Sequence, residues 1–211
     1  MKLQKVARLC KQTGIMRVFF DKDDFVWYIS DGIAAYPVHG VQPMAKDALL
    51  TMLDFDQKAR EKLHYTESPL IGDIDFSDSV DGEMETEYSR DQELQIAYKY
   101  QLVQPLRYNE GRMLLFDPRR LAPLELSPYR ALYVRVSSTG QPYIAVKDGE
   151  LLVAVILPMA EIPEEFVAAV GSLYADARLE RMRAEEEDEE RQTKINIDLE
   201  TGEIMENEAD E

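Results

Sequence analysis

A chain of 211 residues, 45% of them apolar and eleven of them tyrosine, has the material for one well-buried domain or two small ones and is not wholly disordered. Its net charge of −17 argues against nucleic acid as a partner of the whole surface. No apolar run approaches the roughly 18 residues that span a bilayer, and no apolar stretch follows the basic N-terminus as in a secretory signal. A lone Cys10 cannot form an internal disulfide, and the expected location is the reducing cytoplasm.

In chain order, Leu3, Val6, Ala7, Leu9 and Cys10 mark one stripe of a helix over 2–13, with Gly14 as its C-cap. Residues 15–20 and 25–30 alternate as paired strands around an Asp-rich turn. Ser30-Asp31-Gly32 is a second turn, and 33–38 a third strand that Pro37 confines to an edge or a strand end. Helices are expected over 46–55 and 57–63. An insertion at 68–93 follows, acidic and poor in large apolar residues: Asp73 to Glu93 holds nine acids against Arg90. It reads as a solvated loop, with Ile71, Ile74 and Phe76 touching the body.

Leu94 to Val103 alternates as a strand that Pro105 stops. Met113–Phe116 reads as a strand and 118–124 as a helix; strands follow near 131–136, 143–147 and 151–157, with Asp148-Gly149 as a hairpin turn. Pro163 starts a further helix, placed at 161–184 and expected to fray where like charges crowd Glu185–Glu190. From Arg183 onward there are thirteen acids and three bases, a net of −10. Residues 185–211 read as an acidic, disordered tail, with a marginal hairpin around Thr201-Gly202. The first half thus runs helix and three strands, the second strand, helix and three strands, an echo of topology without a residue-level repeat.

No reactive constellation stands out. His39 and His64 lie in different elements with no cysteine near them, Asp73-Ile74-Asp75 lacks the spacing of a calcium loop, and Ser137-Ser138-Thr139-Gly140 is a hairpin turn. There is no glycine-rich phosphate loop and no nucleophile elbow. The expectation is a non-enzyme without catalytic residues, metal or cofactor.

The run Leu115-Phe116-Asp117-Pro118-Arg119-Arg120-Leu121, the closing Val155-Ile156-Leu157-Pro158-Met159 and the early Tyr28-Ile29-Ser30-Asp31-Gly32 together resemble the bacterial DNA sliding clamp, the beta subunit of DNA polymerase III. The likeness covers about two thirds of the chain and is carried by short motifs. Sliding clamps stop just after the segment that resembles Leu157-Pro158-Met159, whereas this chain continues, and it has the length of only about one clamp domain.

The resemblance implies an α+β fold, a DNA-clamp-like domain at 1–160 of two helix-plus-sheet repeats, with the C-terminal helix and acidic tail added. It implies sequence-independent association with double-stranded DNA, docking of replication or other partner proteins, and assembly as a homo-oligomer, since one domain cannot close a ring. Lys2, Lys5, Arg8 and Lys11 would face DNA from the first helix, where steps of three drift by about 60° and cover one broad side. Arg119 and Arg120 would join them from the second, and Leu157, Pro158 and Met159 would receive partner peptides. The alternative is an interaction module with this fold and no DNA role, its acidic tail binding a basic partner or imitating DNA.

Overall fold

Residues Leu3–Thr13 form α1 and bury Val6, Ala7, Leu9 and Cys10. Gly14 ends the helix in the left-handed region (φ 71°), donating its N–H to the Cys10 carbonyl at 2.9 Å. An eleven-residue helix is marginal alone in water, so packing of this stripe, at roughly 1.5–3 kcal/mol per large buried side chain, holds it. The computed structural model describes residues 1–21, 26–70, 72–86, 95–109, 112–160, 162–193, 195–197 and 204–206. The chain divides into two units, Met1–Glu161 and Ile162–Glu211.

The first unit is mixed α+β. Its strands are β1 (Ile15–Phe20), β2 (Trp27–Ser30), β3 (Ala34–Val38), β4 (His64–Pro69), β5 (Met84–Glu85), β6 (Ile96–Tyr98), β7 (Gln101–Tyr108), β8 (Arg112–Phe116), β9 (Arg130–Val136), β10 (Pro142–Asp148) and β11 (Leu151–Ile156). Helices α2 (Lys46–Met52) and α3 (Gln57–Lys62) lie between β3 and β4. Eight strands make one sheet in the order β4-β1-β2-β3-β11-β10-β9-β5, antiparallel throughout except for the parallel pair β1–β4. Two three-stranded meanders, β1-β2-β3 and β9-β10-β11, meet where Ala34 and Ala35 pair with Ile156 and Val155. A second sheet has the order β6-β7-β8.

Strand alternation sorts the large sheet into two faces. Met16, Val18, Ile29, Tyr36, Ile144 and Ile156 point to a core shared with Val6 and Cys10 of α1, Leu49 and Leu50 of α2, and Phe116. Tyr143, Ala145, Leu152 and Val155 point the other way, under Ile74 and Phe76 of the acidic segment. Phe76 also meets the ring of Tyr28, centroids 4.7 Å apart.

Several expectations need correction. Residues 118–124 form one 3-10 turn, Pro118–Leu121, in place of a helix, because Pro123 bars continuation. Pro105 lies inside β7, opposite Leu115, and does not end the strand. β3 is an interior strand, not an edge, and Pro37 falls at its end as the other alternative allowed, where β3 pairs with β2 alone and no ladder bond to β11 is lost. β4 stands where no strand was expected; Tyr65 and Thr66 are its only β-prone residues, and its register comes from β1. Residues 22–24 of the turn expected at 21–24, and residues 71 and 87–93 of the insertion, lie outside the described residues.

In the second unit, α4 (Glu164–Thr193) runs through Glu185–Glu190 and past the expected boundary at 184. Glutamate and alanine are strong helix formers, and their backbone preference outweighs like-charge crowding. β12 (Ile195–Ile197) and β13 (Ile204–Glu206) pair antiparallel within the stretch read as a disordered tail. No helix among the described residues is long and apolar enough to cross a membrane.

Candidate functional site

Lys2, at the N-cap of α1, and Lys5, Arg8 and Lys11 on the helix are all exposed. Lys11 is engaged, donating its Nζ to the Asp54 carbonyl at 2.7 Å with the Phe55 ring 4.7 Å away. Lys2, Lys5 and Arg8 form no side-chain ion pair with any described residue. The 3-10 turn adjoins this helix, since the Lys2 N–H reaches the Pro123 carbonyl at 2.7 Å.

Its two arginines have different fates. Arg119 lies against Asp117 in a two-pronged pair with its side chain 51% exposed, and that hydrogen bond raises its pKa. Arg120 has a side chain only 5% exposed, paired with the fully buried Asp31 and, at 3.3 Å, with Asp117. Its guanidinium is not at the surface, which corrects its expected place among DNA-facing cations.

The Arg120–Asp31 contact is a keystone of the fold. Asp31 shapes the β2–β3 turn by accepting the N–H groups of Ile33 at 3.0 Å and Ala34 at 2.8 Å. Gly32 supplies the left-handed residue (φ 89°) and donates to Ser30 Oγ. From 89 positions along the chain, Arg120 pairs with that carboxylate while its own carbonyl accepts the Tyr36 hydroxyl at 2.7 Å. The Cys10 thiol donates to the Ser30 carbonyl at 3.8 Å; burial first, then the Asp31 charge, push its pKa up to about 12, leaving an unreactive thiol.

On the opposite face lies a groove of about 640 Å³. Arg17 and Phe19 of β1, Ala35 of β3 and Val155 of β11 line it, and residues 72–77 with Val80 form one wall. Three lining apolar side chains are open to solvent: Ile33 at 38%, Leu157 at 39% and Val136 at 55%. Of the expected peptide-receiving residues, Leu157 lines this groove, held by its N–H to the Ile33 carbonyl at 2.8 Å. Pro158 and Met159 do not line it; the Met159 N–H turns to the Leu115 carbonyl at 2.8 Å.

The groove wall belongs to the acidic segment, which is laid along the sheet with Ile74 and Phe76 packed against it as expected, while most of its other described residues stay exposed. Arg135 of β9, 1% exposed, donates to the carbonyls of Ser77 at 2.7 Å and Asp78 at 3.0 Å, and more weakly to that of Asp75. It also grips the Glu83 carboxylate, whose other oxygen takes Lys147 of β10 at 2.9 Å. Asp73 accepts Ser138 Oγ at 2.7 Å, Asp78 accepts the Leu152 N–H at 2.8 Å, and Tyr143 holds the Asp75 backbone.

Sequence reasoning missed Arg135, Lys147 and Glu83. The available signal was two bases, Arg135 and Lys147, on the strand face that alternates away from the main core and carries Tyr143 and Ala145, in a chain that also carries a block of acids. Burial works against ionising Glu83, but the hydrogen bonds from Lys147 and Arg135 outweigh it and lower its pKa; for Asp75, hydrogen bonds from Ser77 likewise overcome burial. With folded values below the unfolded ones, both carboxylates stabilise the strap above the ordinary carboxylate range and lose that effect as pH falls through it. Amide exchange of residues 73–83, after correction for intrinsic pH dependence, should therefore be flat between pH 7 and 5 and accelerate below about pH 4. Unchanged protection at pH 3 would refute the charge anchoring.

Among the described residues no group of three or more His, Cys, Asp or Glu is placed to hold a metal ion. Comparisons with protein-family models, curated proteins and solved structures return no match to this chain.

Proposed function

We propose that the protein is a non-catalytic interaction module whose groove docks an extended apolar peptide flanked by basic residues. The observation that carries this reading is the set of open apolar side chains, Ile33, Val136 and Leu157, along a groove that also offers Arg17, Asp21, Asp73 and Asp75. Monomeric proteins usually cover apolar surface at a concavity unless something binds there. Three carboxylates against one guanidinium, on a chain of charge −17, favour lysine or arginine on either side of the apolar residues.

A labelled hexapeptide with a Leu-Phe pair between lysines, followed by fluorescence anisotropy, tests it. Leu157→Asp and Val136→Asp should each weaken binding at least tenfold, about 1.4 kcal/mol or more, with thermal melting close to wild type. A peptide that binds both variants as it binds wild type would sink the groove as the site.

A second reading, clamp-like association with double-stranded DNA, is favoured by Lys2, Lys5 and Arg8 standing exposed on one helix in a stretch without acids. It needs an oligomer for encirclement, and it has fewer cations than expected now that Arg120 is buried and Lys11 engaged. If it holds, Lys5→Glu with Arg8→Glu abolishes a retardation of duplex DNA that already fades steeply with added salt. Retardation that survives the charge reversal, or that is indifferent to salt, rejects it.

A further inference from the structure

We propose that residues 72–83 are a latched wall of the groove, held on the sheet by the charge of Glu83, and that closing the latch grips the bound peptide. This deepens the docking reading and rests on it.

The argument begins with two buried cations on neighbouring strands. Arg135 and Lys147 are almost fully shielded from water, and a charge so placed is costly unless paired. Most of Arg135's bonds go to carbonyl groups of the strap, which carry no net charge. Among the described residues, Glu83 is the one carboxylate that pairs with both cations at once, 2.7 Å from Arg135 and 2.9 Å from Lys147. Glu150 is the other carboxylate near Lys147, but it stands 4.0 Å away with its side chain 96% exposed, where water screens it. Without the Glu83 charge, the cations gain most by admitting water, and water enters only if the strap lifts.

Lifting the strap has a consequence at the groove. The same segment supplies one wall and covers Tyr143, Ala145, Leu152 and Val155 with Ile74 and Phe76. A released strap leaves an open apolar floor and a groove with one side missing. Peptide binding and latching then favour each other, because each stabilises the same closed arrangement.

Hydrogen–deuterium exchange on the full chain, with and without the Leu-Phe lysine-flanked peptide, tests this. Glu83→Gln keeps the shape of the side chain and removes its charge. It should speed exchange across residues 73–83 at least tenfold, leave α1 and β1–β3 unchanged, and weaken the peptide at least fivefold. Lys147→Met keeps the Arg135–Glu83 pair and should loosen the strap less, so the two variants form a graded series even if the stronger one perturbs folding. On wild type, the peptide should slow strap exchange.

Strap exchange within twofold of wild type in Glu83→Gln would overturn the latch, while the groove could still stand on the Leu157→Asp result. Faster exchange with unaltered peptide affinity would make the strap a mere cover and overturn its grip on the ligand. A wild type that binds no peptide would overturn both readings together.

Discussion

Arg120→Ala should destabilise the first unit by about 3–5 kcal/mol, because it leaves Asp31 charged and without its partner in a site closed to water. Urea unfolding followed by circular dichroism measures this directly. Arg119→Ala, one residue away with its guanidinium half exposed, should cost no more than about 1 kcal/mol, because the buried Asp117 carboxylate keeps Arg120 at 3.3 Å and the residue-119 backbone N–H at 3.0 Å. The contrast separates a folding role from an electrostatic one. If Arg120 served as a surface cation for phosphates, the two substitutions would have similar, small effects on stability and similar effects on DNA. Combining Arg120→Met with Asp31→Ala should cost much less than the sum of the single changes, since neither leaves a lone buried charge in the other's absence. A strictly additive double variant would refute the pairing as the source of the effect.

Arg135→Ala should be comparably damaging, again about 3–5 kcal/mol, for a related reason. Its removal strands Glu83 with Lys147 alone and leaves the carbonyls of Ser77 and Asp78 without their donor under a closed strap. Unlike Arg120, Arg135 anchors a segment that can leave the sheet without dismantling the main core on the opposite face. Limited proteolysis should therefore cut Arg135→Ala within residues 72–85 before any cut in α1 or the central strands. Dye binding to the exposed floor around Tyr143 and Leu152 should rise in parallel. Cleavage spread evenly over the chain would mean that Arg135 supports the whole fold and that the strap has no local opening of its own.

The local elements were largely written in the chain because their signals are short-range. The stripe of α1, the glycine that caps it, the Ser30-Asp31-Gly32 turn and the β-branched runs of β9, β10 and β11 each depend on neighbours a few residues away. The misjudged elements share the opposite property. β4 has a weak pattern and exists because β1 offers it a parallel edge. Pro105 signals a stop, but its position in β7 is tolerated in a three-stranded sheet. α4 continues through its acidic run because a helix needs only its own backbone, which the count of like charges did not weigh.

For the candidate site, the clamp resemblance named Leu157, Pro158, Met159, Arg119, Arg120 and the basic face of α1, and the residue pattern put Ile71, Ile74 and Phe76 against the body. Whether a charge is a surface ligand or a buried strut is decided by partners far away in sequence: Asp31 lies 89 positions from Arg120, and Glu83 lies 52 from Arg135 and 64 from Lys147. Composition and periodicity therefore determined by themselves a mixture of helices and strands with a basic first helix, an acidic middle segment and an acidic C-terminal tail. Only the tertiary structure decided which of those charges remain available. A guanidinium looks the same in a sequence wherever it stands, and its role depends on which carboxylates and carbonyls the fold brings within about 3 Å of it.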